Sequence, residues 1–315
     1  MILITVKSTL GVAMALLLSS TVASCDSPGE DDSGLLVVTS TTVLGDLVAA
    51  IAGEDATVEI LLPLGADPHD FQPSAHQMSL VATADLVVIN GLGLEEQLED
   101  AIEAAAGSEV VVLAIAAELD PLPWSDAGMD STDQESDYGD LDPHVWLDPV
   151  RMADAAILVG SALATLDPAG GYQARSEQYA TSLLDADTEI RGILADIPPQ
   201  DRLLVTNHDS FAYFAARYGF EVVGVVIPGG STLAEPSSAE MAALVALIRE
   251  RGIKAVFAET THPTDLAEAI AAEAGTTVAV VQLYSGSLGE PGTPAATLPG
   301  MLLENARRIA AALGG

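Results

Sequence analysis

The 315-residue chain carries one cysteine, Cys25, so no internal disulfide can staple it. Cations are nearly as scarce: 11 Lys+Arg stand against 46 Asp+Glu, a formal net charge of −35. Phosphate-backbone binding needs clustered cations, which excludes nucleic acid as a partner. The negative field instead favours solubility and concentrates cations near the surface. Hydrolase signatures are missing as well. No H-E-x-x-H helix is present to build a catalytic zinc centre, and no G-x-S-x-G elbow precedes a helix.

Long apolar runs are confined to the first residues. Lys7 is followed by Leu10 to Leu18 and then by the small residues Val22-Ala23-Ser24. That run is too short to span a bilayer and reads as an export signal over residues 1–24. Cys25, placed after Val-Ala-Ser, matches a bacterial lipoprotein box, where the thiol is acylated and heads the mature chain. The alternative is ordinary cleavage nearby, leaving a free thiol or none. Residues 25–34, with Asp26, Pro28, Gly29, Glu30, Asp31 and Asp32, read as a disordered tether. No later stretch reads as apolar and uncharged enough to cross a membrane, so the expected protein is anchored, not embedded.

What is present is a large hydrophobic fraction, 49%, arranged in alternation. The β-branched runs 35–39, 57–62, 85–90 and 110–113 are separated by segments of helical spacing, and 202–206, 221–227, 254–259 and 277–282 repeat the pattern. Such alternation predicts βαβ units and mainly parallel sheets. Residues 168–197, ending at Pro198-Pro199, predict one long helix, about 40 Å if fully formed. Ser237 with Glu240 forms a capping-box pattern, and Gly252 ends the helix that follows. The expected division is a first lobe at 35–166, a linking helix at 167–199 and a second lobe at 200–315. Residues 118–140 interrupt the first lobe as an acidic loop without periodicity. They read as a solvated linker or as a flap that collects metal.

The candidate chemistry lies in histidines. His144 sits in Asp142-Pro143-His144-Val145-Trp146-Leu147-Asp148-Pro149, where the prolines stiffen the backbone and Asp142 or Asp148 can orient the ring. The tripeptide Asp-Pro-His also occurs at Asp67-Pro68-His69. His69 and His208 both fall beyond the carboxyl ends of expected parallel strands, the edge where open α/β sheets bind ligands. Three imidazoles converging in a cleft suit a transition-metal ion. His76 reads as a packing or surface residue and His262 as a loop residue. Trp146 is expected to pack beneath the site.

The segments 65–73, 85–94 and 142–149, with His208 and Phe211-Ala212-Tyr213-Phe214, resemble the solute-binding lipoproteins of zinc and manganese ABC transporters, the cluster A-I or ZnuA/TroA-like family. The resemblance covers essentially the whole mature chain. It implies two Rossmann-like lobes joined by one rigid helix, with metal held between them and delivered to a membrane permease. It maps His69, His144 and His208 onto the first three ligand positions, and a histidine at the third resembles the zinc branch. The family's fourth ligand, an aspartate, falls on Gly286, which cannot ligate, so water or Glu259 is expected to complete the shell. The zinc members' histidine-rich loop is also absent. Zn²⁺ is thus the expected ligand, with Mn²⁺ or Fe²⁺ the alternative. A zinc-dependent hydrolase with an open coordination position, and a structural or adhesin lipoprotein, are the competing classes. The expected protein is a monomer, anchored at the membrane through Cys25, and not an enzyme.

Overall fold

The computed structural model describes residues 34–124, 141–229, 232–275 and 277–314. The expected signal, the Cys25 anchor and most of the acidic loop 118–140 lie outside the described residues.

The first half alternates as expected: β1 (Leu35–Thr39), α1 (Thr42–Ala52), β2 (Ala56–Ile60), α2 (Ala75–Thr83), β3 (Leu86–Ile89), α3 (Glu96–Ala105) and β4 (Val111–Ala114). Two helices follow, α4 (Pro149–Leu166) and α5 (Tyr172–Ile193). The second half runs β5 (Leu203–Thr206), α6 (Ala212–Tyr218), β6 (Glu221–Val225), α7 (Ser238–Arg251), β7 (Ala255–Glu259), α8 (Asp265–Ala274), β8 (Ala279–Leu283) and α9 (Leu298–Leu313). Each half folds into a parallel four-stranded sheet, in the orders β2-β1-β3-β4 and β6-β5-β7-β8. The protein is therefore α/β with two lobes of the same strand order.

Local chemistry explains the element ends. The side chain of Thr41 accepts the Leu44 amide to start α1, leaving one fewer unpaired donor in the first turn. Ser237 and Glu240 close the expected capping box on α7, and Gly252 ends that helix at φ +63°, a conformation only glycine adopts without strain. Ser74 and Gln77 form a second capping box on α2.

The linking helix is shorter than expected. It spans the 22 residues Tyr172–Ile193, about 33 Å at 1.5 Å per residue, because Gly170-Gly171 turns the chain before it and the stretch ahead of Pro198 relaxes into turns. It still touches both halves, packing on α1 and α4 of the first and α9 of the second. A single buried core runs through the joint, from Val37 and Leu47 through Val159 and Leu183 to Phe214 and Met301. Smaller cores lie under α2 and α3 (Val81, Leu98) and under α7 and α8 (Val245, Ile270). The lobes are thus fused through shared apolar packing and not strung on a flexible linker.

One expectation about membranes needs correcting. By length and composition α4 passes as a membrane-crossing helix, with a mean hydropathy of 1.3 over 18 residues. Its apolarity has another use: Met152, Ala155, Ala156, Val159 and Leu163 are fully buried in the shared core, and the helix carries Arg151 and Asp154.

Candidate metal centre

Three segments converge at the carboxyl edges of the two sheets. His208 lies two residues beyond β5, His69 on the loop between β2 and α2, and His144 at the head of a short 3-10 turn, Val145–Leu147, that runs into α4. All three side chains are buried, at 3%, 1% and 2% exposure for His69, His144 and His208. Their rings face one another. His144 Nε2 lies 3.4 Å from His69 Nε2 and 3.1 Å from His208 Nε2, and one ligand atom from each falls within 4.8 Å of the others. Two nitrogens at tetrahedral corners around zinc, with bonds of about 2.0–2.1 Å, would be ~3.3 Å apart. Such spacing lets one cation meet all three nitrogens with little rearrangement.

The remaining ring nitrogens fix the tautomers. His144 Nδ1 bonds Asp142 Oδ1 at 2.8 Å, and His208 Nδ1 bonds Glu259 Oε1. A carboxylate behind Nδ1 draws the proton there and turns the Nε2 lone pair inward. Asp142 itself is placed by three backbone contacts. Its N–H donates to Leu122 O (2.8 Å), its carbonyl accepts from the Tyr213 hydroxyl (2.6 Å), and its carboxylate also takes the His144 N–H (2.9 Å). Next to it the Asn90 side chain donates to Pro143 O at 2.9 Å, tying the segment to the end of β3. Of the two aspartates flanking His144, Asp142 orients the ring. Asp148 instead caps α4 through the Val150 amide and receives Arg151 and, from the second lobe, Arg217.

The two carboxylate–imidazole pairs are electrostatically opposite. Burial pushes Asp142 up to about 7, and burial together with its two neighbouring imidazoles drives His144 well below the usual range. Burial also works against charge on His208 and Glu259, but their mutual attraction outweighs it. His208 is raised and Glu259 lowered, the latter helped by a hydrogen bond from the Ser285 hydroxyl. These directions favour the neutral form at His144 and the protonated form at His208.

Glu259 was expected as a possible fourth ligand. Both of its oxygens are engaged away from the cluster, one by His208 Nδ1 and the other by Ser285, so it backs a histidine and does not join the three. Gly286, where the resemblance expects a fourth ligand, has no room for a side chain. A Cβ on Gly286 would come 2.8 Å from Pro68 Cδ, so a proline of the first lobe takes the space a side chain there would need. His76 is exposed on α2, and His262 Nε2 pairs with Asp67 Oδ2 at 3.0 Å. Trp146 packs against His144, ring centres 5.2 Å apart, and donates to Ser285 O at 2.7 Å. Trp124, uninformative in sequence, lies edge-on to His144 at 5.8 Å. The residues that sequence reasoning missed are Asp67, Asn90 and Tyr213. All three fall in segments that carry the resemblance, but only Asp67 left a positional signal, because it repeats the position of Asp142 two residues before a histidine.

Against known proteins, residues 37–312 match the family model described as ZnuA, zinc-uptake complex component A, periplasmic. The chain is 30% identical over 296 residues to the manganese-binding lipoprotein MntA of Halalkalibacterium halodurans, covering 93% of each. It is 32% identical over 308 residues to the zinc-binding protein TroA of Treponema pallidum, covering 96% of each. The iron-binding protein YfeA of Yersinia pestis is 30% identical over 285 residues, 89% of this chain and 87% of that one. The solved structure of the periplasmic zinc-binding protein TroA superposes with a TM-score of 0.78 at 31% identity, over 89% of this chain and 99% of that one.

Proposed function

The chain belongs to the ZnuA family, and from that premise we propose that it captures Zn²⁺ with His69, His144 and His208 and hands it to its permease. At the level the family fixes, it is an extracytoplasmic metal-binding component of an ABC transporter and not an enzyme. The observation that carries the proposal is the meeting of three buried Nε2 atoms from three separate segments.

Zinc is favoured by the donors. Two of the three imidazoles have a carboxylate fixed behind the ring, and among the described residues no carboxylate joins the cluster. Mn²⁺ prefers more oxygen, whereas borderline Zn²⁺ accepts imidazole readily. Family relatives named for manganese and iron bear on the class of ion, so the choice of zinc rests on the donor set. Water completes a tetrahedral shell in this reading. Cys25 supplies the lipid anchor, residues 35–166 and 200–315 are the two lobes, and the protein works as a monomer beside its permease. Elemental analysis with X-ray absorption on the protein as purified tests the metal. Zinc with three nitrogen donors is expected, and six mainly oxygen donors around manganese would overturn it.

A further inference from the structure

The three histidines are 3%, 1% and 2% exposed, so an ion reaches or leaves their ring nitrogens only if something moves. The shared core makes a swing of whole lobes costly, because Val37, Val159, Leu183 and Met301 all belong to one buried cluster. His69 is carried on the loop between β2 and α2, residues 61–74, which contains no helix or strand. Gly65, at φ +80°, gives this loop a turn that other residues adopt only with strain.

That loop is fastened to the second lobe at three places. The Gly65 amide donates to Ser287 Oγ at 2.8 Å. Pro68 rests where a side chain on residue 286 would be. Asp67 makes the polar contact nearest the metal ligand. Its Oδ1 accepts the His69 amide at 3.0 Å, while its Oδ2 meets both the Thr232 hydroxyl and, at 3.0 Å, His262 Nε2. Thr232 lies on the loop between β6 and α7, and His262 between β7 and α8. One carboxylate thus holds the backbone of a metal-binding residue with one oxygen and grips the opposite lobe with the other.

We propose that Asp67, with Thr232 and His262, is the latch that pins the His69 loop over the bound ion and sets the rate at which the ion is released. This rests on the three-histidine site and adds to it a positioning role for residues that touch no metal. Because Thr232 and His262 belong to the second lobe, changing them leaves the turn between Asp67 and His69 intact. Their loss therefore reads the latch and not the ligand.

The test is stopped-flow transfer of zinc from the loaded, full-length mature chain to excess chelator, with association measured separately. His262→Ala is expected to release zinc about tenfold faster and Thr232→Val several-fold faster, with association within twofold of the parent. Thr232→Ser, which keeps the hydroxyl, is expected to release at the parent rate. In an Asp67→Asn background His262→Ala should add little, since both act through one contact. Parent-like release by His262→Ala and Thr232→Val, or full additivity with Asp67→Asn, overturns the latch. His144→Ala run in parallel separates the two readings. If it loses zinc while the latch variants are unchanged, the latch alone fails. If it keeps zinc like the parent, the site itself fails and takes the latch with it.

Discussion

The chain contains Asp-Pro-His twice, and the two copies begin alike. In each, the aspartate Oδ1 accepts the amide of the histidine two residues on, at 3.0 Å in Asp67-Pro68-His69 and 2.9 Å in Asp142-Pro143-His144. This is the Asx turn that such side chains favour, and it presents the imidazole on a rigid corner. Beyond that turn the copies diverge. The carboxylate of Asp142 turns inward and bonds its own histidine's ring. Asp67 looks outward and binds Thr232 and His262 of the other lobe. Burial raises Asp142 to about 7. For Asp67 burial acts the same way, yet the His262 pair, the nearby His69 and the Thr232 hydroxyl overcome it and hold the carboxyl well below its ordinary range. Local sequence sets the turn, and the neighbours supplied by the fold decide whether the carboxylate tunes a ligand or ties down a loop.

The hardest way to break the comparison is to delete a ligand from the rigid copy. Structural zinc sites bind with roughly 10–16 kcal/mol shared among four donors, or about 2.5–4 kcal/mol each. His144→Ala should therefore weaken zinc by about 10²–10³-fold in a chelator competition. A loss below tenfold would mean that the ring at the centre of the cluster is not coordinating.

Next come the carboxylates behind the rings. Removing such partners costs about 10–100-fold in metal affinity, the range expected for both Asp142→Asn and Glu259→Gln. Their pH behaviour sharpens the contrast. Coordination needs the neutral imidazole, so protons compete with the metal. His208 is raised above the ordinary value of about 6.5, and it starts to hold its proton at higher pH than a free histidine. Asp142, pushed up to about 7 by burial, loses its charge as pH falls through that value. Affinity should be full at higher pH and fall as pH drops, more steeply than one logarithmic unit per pH unit once both groups titrate. Glu259→Gln removes what holds His208 up, and the onset should move to lower pH. An unchanged onset in isothermal titrations across pH 5.5–8 would refute that account.

Gly286→Asp comes third and probes the outward-facing copy. On the family pattern it restores a ligand, but here the new Cβ would press on Pro68 at 2.8 Å. The loop bearing Asp67 and His69 must then lift, so several-fold weaker zinc binding is expected in place of a gain. Tighter binding with a fourth, oxygen donor in the absorption spectrum would show that the loop yields easily.

How much of this could be read in advance follows from the range of the forces involved. Strand alternation, the α7 capping box, the Gly252 stop and the three histidines depend on neighbours a few residues apart or on where ligands gather in α/β sheets. They are legible in one dimension. The length of α5 depended on a Gly-Gly turn that periodicity alone does not weigh. Glu259 was misplaced because a carboxylate 51 residues from His208 can sit in front of a ring or behind it, and only the packing of β7 beside β5 decides. The grip of Asp67 on Thr232, 165 residues away, is invisible until the lobes meet. At α4 no membrane-length apolar stretch was expected, yet this buried core helix has the length and composition of one.

The smallest expected effect belongs to His76→Ala. His76 is seven residues from His69 and chemically identical to it, yet it sits exposed in the first turn of α2, between Ser74 and Gln77 of the capping box. Its ring has no backing carboxylate among the hydrogen bonds and ion pairs of the described residues, and it lies outside the cluster of three. Zinc affinity in this variant should stay within twofold of the parent. The measurement has force because it holds residue type and overall charge nearly constant while changing only position. An effect on the scale of His144→Ala would mean that zinc is held by histidines in general, at an acidic surface, and not by the buried arrangement behind the two Asp-Pro-His turns.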